Sequence, residues 1–332
     1  MSREIGIGTL PDDAPLVPVQ TACAQAVRVA SVRHPCREHV AISLAADSFP
    51  ASAPGQFLQL LCHATEDSAA QVHAWPAGAF PRISDPDFAG TQAYLRRPFS
   101  IADREDRGDE THLTVISRAV GVGTTWLDRL RAGDTVDITG PLGRGFDIPP
   151  AHVPVVLVGG GVGIPPLLYL TRVLHDRGHA DATLIVGART RDLLPVDLRE
   201  EPPRDAAPAP CVRLPGEAPF ASIVTSDDGS VGLRGLTTDA LAAWAAQRGD
   251  AARGAVVMAC GPDPMLRALA RHTRALGMAC QLCIERNMGC GLGTCLSCVV
   301  RVRAPLRPLG WRWALTCNDG PVFDRDALPD YD

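Results

Sequence analysis

Lysine is missing from this chain: all 32 basic residues are arginine, and set against 37 acidic residues they leave a formal net charge of −5. A balance so close to neutral gives no global positive field to draw the protein to nucleic acid or to an anionic membrane, and neither is expected as a partner. The lysine-free, alanine- and arginine-rich composition is explained by coding bias as readily as by function. Residues 1–18 lack the basic start and apolar run of a secretory signal, so a cytoplasmic location is expected. One uncharged stretch, residues 153–170, is long enough to resemble a membrane span, but it holds Gly159, Gly160, Gly161, Gly163, Pro165 and Pro166. These suit a strand, a tight loop and a helix start. Clustered histidines are missing too: the nine present form no catalytic group, and no side chain is expected to serve as a strong acid or base.

What is present is a chain of 332 residues, 46% hydrophobic and 21% charged, enough for two or three domains with their own cores. From residue 26 to 150 short apolar runs such as Val40-Ala-Ile-Ser-Leu44, Phe57-Leu-Gln-Leu60, Leu113-Thr-Val-Ile116 and Thr135-Val-Asp-Ile138 are separated by turn residues, which predicts an antiparallel β-barrel or sandwich. Residues 62–95 lose this periodicity and read as a long loop or insertion. After Pro154 the texture changes. Val155-Val-Leu-Val158, Ala182 to Gly187 and Ala255 to Ala259 read as strands, and residues 237–248 and 263–276 carry helical patterns. Strands alternating with helices predict a doubly wound parallel sheet over residues 151–280, with a proline-rich loop at 195–219. Residues 1–25 are left as an amino-terminal extension and residues 281–332 as a small cysteine-bearing domain.

Eleven cysteines make an odd count, and without an export signal thiolate chemistry is expected ahead of a disulfide framework. Four of them carry a pattern: Cys290, Cys295 and Cys298, then Cys317, spaced C-x4-C-x2-C…C as for a plant-type [2Fe-2S] cluster. Three thiolates on one short loop converge only if the backbone wraps tightly, and Gly289, Gly291 and Gly293 permit it. A zinc site is the competing reading, but zinc favours two separated C-x2-C pairs, and here only Cys295 and Cys298 form one.

Four further features suit bound nucleotides. Gly159-Gly-Gly-Val-Gly163-Ile-Pro-Pro166 lies between a strand and a helix, where glycines let a pyrophosphate approach free N–H groups. Cys260-Gly261-Pro262 ends a later strand, where α/β sheets bind ligands. Arg97-Pro98-Phe99-Ser100 presents a guanidinium from a stiff segment, and Gly121-Val-Gly123-Thr124-Thr125 leads into a helical pattern at residues 126–130. Two anion sites in the β region and one in the α/β region suggest two nucleotide cofactors.

In that order the motifs resemble the ferredoxin reductase superfamily. The segment Glu285-Arg-Asn-Met-Gly-Cys290-Gly291, with Cys317-Asn-Asp-Gly-Pro-Val-Phe323 after it, narrows the resemblance to the electron-transfer subunits of class 1B dihydroorotate dehydrogenases. The resemblance covers residues 26 to 328. It implies FAD on the barrel, held by Arg97, Pro98, Phe99 and Ser100, by Ile116, Ser117 and Arg118, and by Gly123 and Thr124. It implies NAD in the α/β domain, at Gly159, Gly160, Gly161, Gly163, Cys260, Gly261 and Pro262, and a [2Fe-2S] cluster on Cys290, Cys295, Cys298 and Cys317. A flavin placed between nicotinamide and cluster converts two-electron into one-electron transfer. The resemblance further implies an oxidoreductase of pyrimidine biosynthesis, in a heterotetramer with an FMN-containing dihydroorotate dehydrogenase subunit, with electrons crossing the cluster to FAD and reducing NAD. Alternative readings are an NAD(P)H-dependent ferredoxin or hydrogenase-associated flavoprotein reductase and, in another class, a non-catalytic zinc-stabilised scaffold. For the dinucleotide, residues 187–192 hold no acid clearly placed for a ribose 2′-OH and two arginines, Arg189 and Arg191, that could hold a 2′-phosphate, which leans towards NADP, while the resemblance leans towards NAD, which is the expectation here.

Overall fold

The computed structural model of the chain describes residues 22–63, 93 and 95–332. Among the described residues, six antiparallel strands close a barrel in the order β1-β2-β5-β4-β3-β6. These are β1 (Cys23–Cys36), β2 (His39–Asp47), β3 (Phe57–Leu60), β4 (Arg97–Arg107), β5 (Glu110–Arg118) and β6 (Thr135–Leu142). Alternation drives the closure: Val27, Ile42, Leu44, Leu58, Leu60, Ile101, Leu113, Val115, Val136 and Ile138 form one buried cluster inside it. The first strand starts at Cys23, within the expected extension, because Cys23, Ala24 and Gln25 pair with Gly140, Thr139 and Ile138 of β6. The rest of that extension, and nearly all of the loop expected at 62–95, lie outside the described residues.

A short helix, α1 (Val122–Asp128), joins β5 to β6. It begins earlier than the expected 126–130, because the Thr124 hydroxyl accepts hydrogen bonds from the N–H groups of Val120 and Gly121, at 2.9 and 3.0 Å, and starts the helix there.

The second layer is a seven-stranded sheet, β10-β9-β8-β7-β11-β12-β15, again among the described residues. Its members are β7 (Val155–Gly160), β8 (Ala182–Ala188), β9 (Ala221–Ser226), β10 (Leu233–Arg234), β11 (Val256–Cys260), β12 (Ala279–Cys283) and β15 (Val322–Asp324), parallel except for the β12/β15 pair. Helix α2 (Ile164–Asp176) covers one face, and α3 (Thr237–Arg248) and α4 (Asp263–Ala275) cover the other. Along β7, Val155 and Leu157 face α2 while Val156 and Val158 face α3 and α4, so both faces are buried and the strand reads as an unbroken apolar run. Helix α2 also fastens the sheet to the barrel: Arg172 makes a two-pronged pair with Asp103 of β4, at 2.7 and 2.8 Å, and reaches Glu105.

The carboxyl-terminal region interleaves with this sheet. A two-stranded hairpin, β13 (Val299–Arg303) and β14 (Trp311–Leu315), buries Val300, Val302 and Ala314 in the cluster that also holds Leu328 and Tyr331. The chain then returns through β15, so the expected division between residues 280 and 281 falls inside β12, and the last strand belongs to the α/β sheet. Arg325 anchors the return, bonding Thr273 Oγ1 at 3.0 Å and the Met278 carbonyl at 2.9 Å.

Candidate functional site

Strand order reverses at β7: β8 and β9 lie to one side and β11 and β12 to the other, so the crevice between the carboxyl ends of β7 and β11 is where a parallel sheet binds ligands. A cavity of about 430 Å³ opens there, lined among others by Gly160, Gly161, Arg189, Asp227 and Pro262. The glycines at the end of β7 and just beyond it divide into two kinds. Gly161 has φ +53° and nothing near a would-be Cβ, which leaves its backbone open to a ligand. Gly159 and Gly163 serve packing: a Cβ on Gly163 would lie 2.3 Å from the Cys260 carbonyl carbon and oxygen, and one on Gly159 would press on Ile164 and Leu167. Gly261 likewise lies against Met265, and the Cys260 thiol is buried beside Cys283, whose hydrogen bond, with burial, raises its pKa. The crevice thus contains Gly160, Gly161 and Pro262, while Gly159, Gly163, Cys260 and Gly261 shape its walls.

Asp227, at the end of β9, is an acid in this cavity that the sequence did not single out, because it becomes visible only once β9 is known to lie beside β8. Of the two arginines considered there, Arg191 is committed to Glu201, at 2.7 Å, while Arg189 lines the cavity.

On the barrel, Arg97, Pro98, Phe99 and Ser100 begin β4 and are all half-buried. Arg97 spends one donor on the Leu95 carbonyl at 3.1 Å, and no carboxylate pairs with it among the described residues. Ile116 and Ser117 lie buried near the end of β5, and the Ser117 hydroxyl has no hydrogen-bond partner among the described residues. Arg118 differs: it is held by Glu38 at 2.7 Å and lines the cavity at the ends of β7 and β11, as does His39. Gly123 packs against Cys62 and Ala93, each 3.2 Å from a would-be Cβ, and the Thr124 hydroxyl is occupied in its own helix start, while the first backbone N–H groups of this turn have no intrahelical acceptor.

The cysteine loop is built for thiolates. Cys290 Sγ accepts from the N–H groups of Leu292 and Cys295, at 3.3 and 3.4 Å, and Cys295 Sγ accepts from Cys290 N at 3.4 Å. The Cys317 N–H points at Cys298 Sγ, at 3.5 Å. Positive φ at Gly291, Gly293 and Leu296 wraps the loop. Hydrogen bonding from Ser297, with further bonds from the backbone, lowers the Cys295 thiol to about 6, while burial pushes Cys317 up to about 12. The four sulfurs lie as two pairs, Cys290 with Cys295 and Cys298 with Cys317. Among the described residues no three histidine, cysteine or carboxylate groups gather as they would on a single ion. Phe57 and Leu142 of the barrel pack against Cys298 and Cys317, so this loop lies on the barrel wall. Around it Leu292, Leu296 and Trp313 are exposed, whereas Phe323 is buried in the sheet's core.

Comparison with known proteins agrees with this architecture. The family model for the iron-sulfur cluster binding domain of dihydroorotate dehydrogenase B matches residues 285–329. The chain is 34% identical over 232 residues to the dihydroorotate dehydrogenase B (NAD(+)) electron transfer subunit of Caldanaerobacter subterraneus subsp. tengcongensis, covering 70% of this chain and 80% of that one. The subunit of the same name from Geobacillus kaustophilus is 37% identical over 241 residues, covering 71% and 80%. Among solved structures, that of an NADH-dependent reduced ferredoxin-NADP oxidoreductase superposes with a TM-score of 0.66 at 23% identity, covering 91% of this chain and 89% of that one, which establishes the shared fold. Fold, cysteine loop and sequence similarity agree, and the chain belongs to the family of dihydroorotate dehydrogenase B (NAD(+)) electron transfer subunits.

Proposed function

We propose that the chain passes electrons between NAD and an FMN-containing dihydroorotate dehydrogenase catalytic subunit, through a [2Fe-2S] cluster and FAD, within a heterotetramer serving pyrimidine biosynthesis. The observation that carries this reading is the pairing of the four cysteines on the wall of a reductase-type barrel. Two thiolates per iron is what a two-iron cluster takes, whereas zinc needs four ligands around one point. Cys290 and Cys295 would hold one iron and Cys298 and Cys317 the other.

When bound, the flavin exchanges a hydride with the nicotinamide and single electrons with the cluster. The chain's own residues bind and orient. Arg97, with donors to spare, takes the FAD pyrophosphate. Ser100 and the buried Ser117 hydroxyl, unpartnered among the described residues, offer polar contacts to the flavin. Gly160 and Gly161 receive the NAD pyrophosphate at the crevice, Pro262 bounds it, and Cys260 closes its floor as a neutral thiol. We place FAD on the barrel, NAD at the seven-stranded sheet and the cluster on the segment preceding β13 and following β14. No helix among the described residues is long and apolar enough to cross a membrane. A place in the cytoplasm accords with eleven free cysteines, since thiols stay reduced there.

Cofactor analysis of the purified chain tests this reading. One FAD and one [2Fe-2S] cluster per chain are expected. A colourless protein holding zinc on these cysteines would contradict it.

A further inference from the structure

Strand β3 runs between the two redox sites, and every residue in it is buried. Leu58 and Leu60 point into the barrel core. Side chains alternate along a strand, so Phe57 and Gln59 share the outer side. Phe57 packs on Cys298 and Cys317. Gln59 reaches the other arm of the cysteine loop, for a Cβ placed on Gly291 would lie only 2.3 Å from Gln59 Nε2 and 2.9 Å from its Cδ. Yet Gln59 is 0% exposed, and neither its Nε2 nor its Oε1 has a hydrogen-bond partner among the described residues. A buried primary amide with no partner is costly, and methionine would fill the same space without that cost. Cross-strand pairing supplies a second observation: Gln59 lies opposite Pro98 and Phe57 opposite Ser100, and residues directly opposite share a face. Gln59 therefore stands on the surface assigned above to the flavin, with the cysteine loop against its other side.

We propose that Gln59 is a positioning residue of the electron path, its carboxamide filling the gap between flavin and cluster and its Nε2 donating a hydrogen bond to cluster sulfur beside Gly291. This rests on the cofactor assignment of the preceding section. The chemistry fixes the direction of the bond, because cluster sulfur carries negative charge and takes a donor. Reduction adds a further negative charge, so a donor at this position stabilises the reduced cluster more than the oxidised one and raises its potential.

The experiment compares the wild-type holoprotein with Gln59→Met, a side chain of similar length without N–H. Iron, sulfide and FAD content are measured first, and the cluster potential is then titrated by electron paramagnetic resonance. Expected is unchanged cofactor content with a roughly tenfold loss in the one-electron reduction equilibrium, a downward shift of about 59 mV. In parallel, wild-type protein labelled with ¹⁵N in the glutamine side-chain amide is expected to show a ¹⁵N coupling to the reduced cluster. This reading needs no variant and decides the matter should Gln59→Met fold poorly. An unchanged potential in a fully loaded variant, or the absence of ¹⁵N coupling, overturns the role of Gln59 and leaves the cofactor assignment standing. Wild-type protein without iron and sulfide overturns both.

Discussion

Gly163 offers a sharp test of the proposal that NAD binds in the crevice between β7 and β11. Alanine at this position would set its Cβ 2.3 Å from the carbonyl carbon and oxygen of Cys260 and 2.4 Å from the nitrogen of Gly261. Non-bonded carbon atoms prefer about 3.5–4.0 Å, so the two segments must part by roughly 1 Å or more. The three nearest atoms are all backbone, at the end of a β7–β11 pair whose register continues to Cys260↔Gly159, so no side-chain rotation relieves them. Overpacking of this kind costs about 1–3 kcal/mol. The functional cost is larger, because a displacement of 1 Å in a hydride-transfer geometry is worth about a hundredfold in rate. The assay is stopped-flow reduction of the bound flavin by NADH in Gly163→Ala, alongside flavin and iron content. Expected are wild-type cofactor content and a rate lower by about two orders of magnitude. A fully loaded variant reduced at the wild-type rate would show that the β7 and β11 ends do not form the nicotinamide site.

Further outcomes follow from the same geometry. Cys295→Ser should abolish iron and sulfide content while leaving most of the flavin bound, as read by visible absorbance and chemical analysis. Asp227→Asn should remove a carboxylate unfavourable to a 2′-phosphate and raise kcat/KM for NADPH relative to NADH by about tenfold, with wild type preferring NADH. In the apoprotein, alkylation of Cys295 followed by peptide mass spectrometry should be half-maximal at a pH of about 6. The sign is that of a depressed pKa: the thiolate's stabilising bonds are fully present above the ordinary thiol value of 9.0 and are lost as pH falls through about 6. Alkylation rising only near pH 9 would mean that Ser297 and the backbone N–H groups do not hold the thiolate.

The parts of this molecule that were legible in the sequence are those set by local pattern. Residues 237–248 were read as a helix and form α3 over the same span, and Phe57–Leu60 likewise forms β3, because periodicity and turn residues define both. The cysteine spacing announced the cluster loop in the same way. What escaped depended on long-range pairing. The half-exposed 14-residue β1 is stabilised by β2 and β6 and carries only a weak apolar signal of its own. Short β15 is a strand only because β12 is there to pair with it. The sequence also could not show that the Thr124 hydroxyl serves its own helix start or that Gly163 is needed for close packing against Cys260, since both depend on contacts formed only in the fold. Gln59 gave no signal beyond one amide in an apolar strand, and its significance came only from burial, the absence of a partner among the described residues and the nearness of Gly291.

The central claim is electron transfer between NAD and a partner subunit, and one measurement addresses it directly: dihydroorotate-dependent reduction of NAD by this chain co-expressed with an FMN-containing dihydroorotate dehydrogenase subunit, against each protein alone. The account predicts a stable complex that reduces NAD, with neither subunit doing so by itself and with Cys295→Ser abolishing the activity of the complex. NAD reduction by this chain alone, or failure to associate with any such subunit, would contradict it.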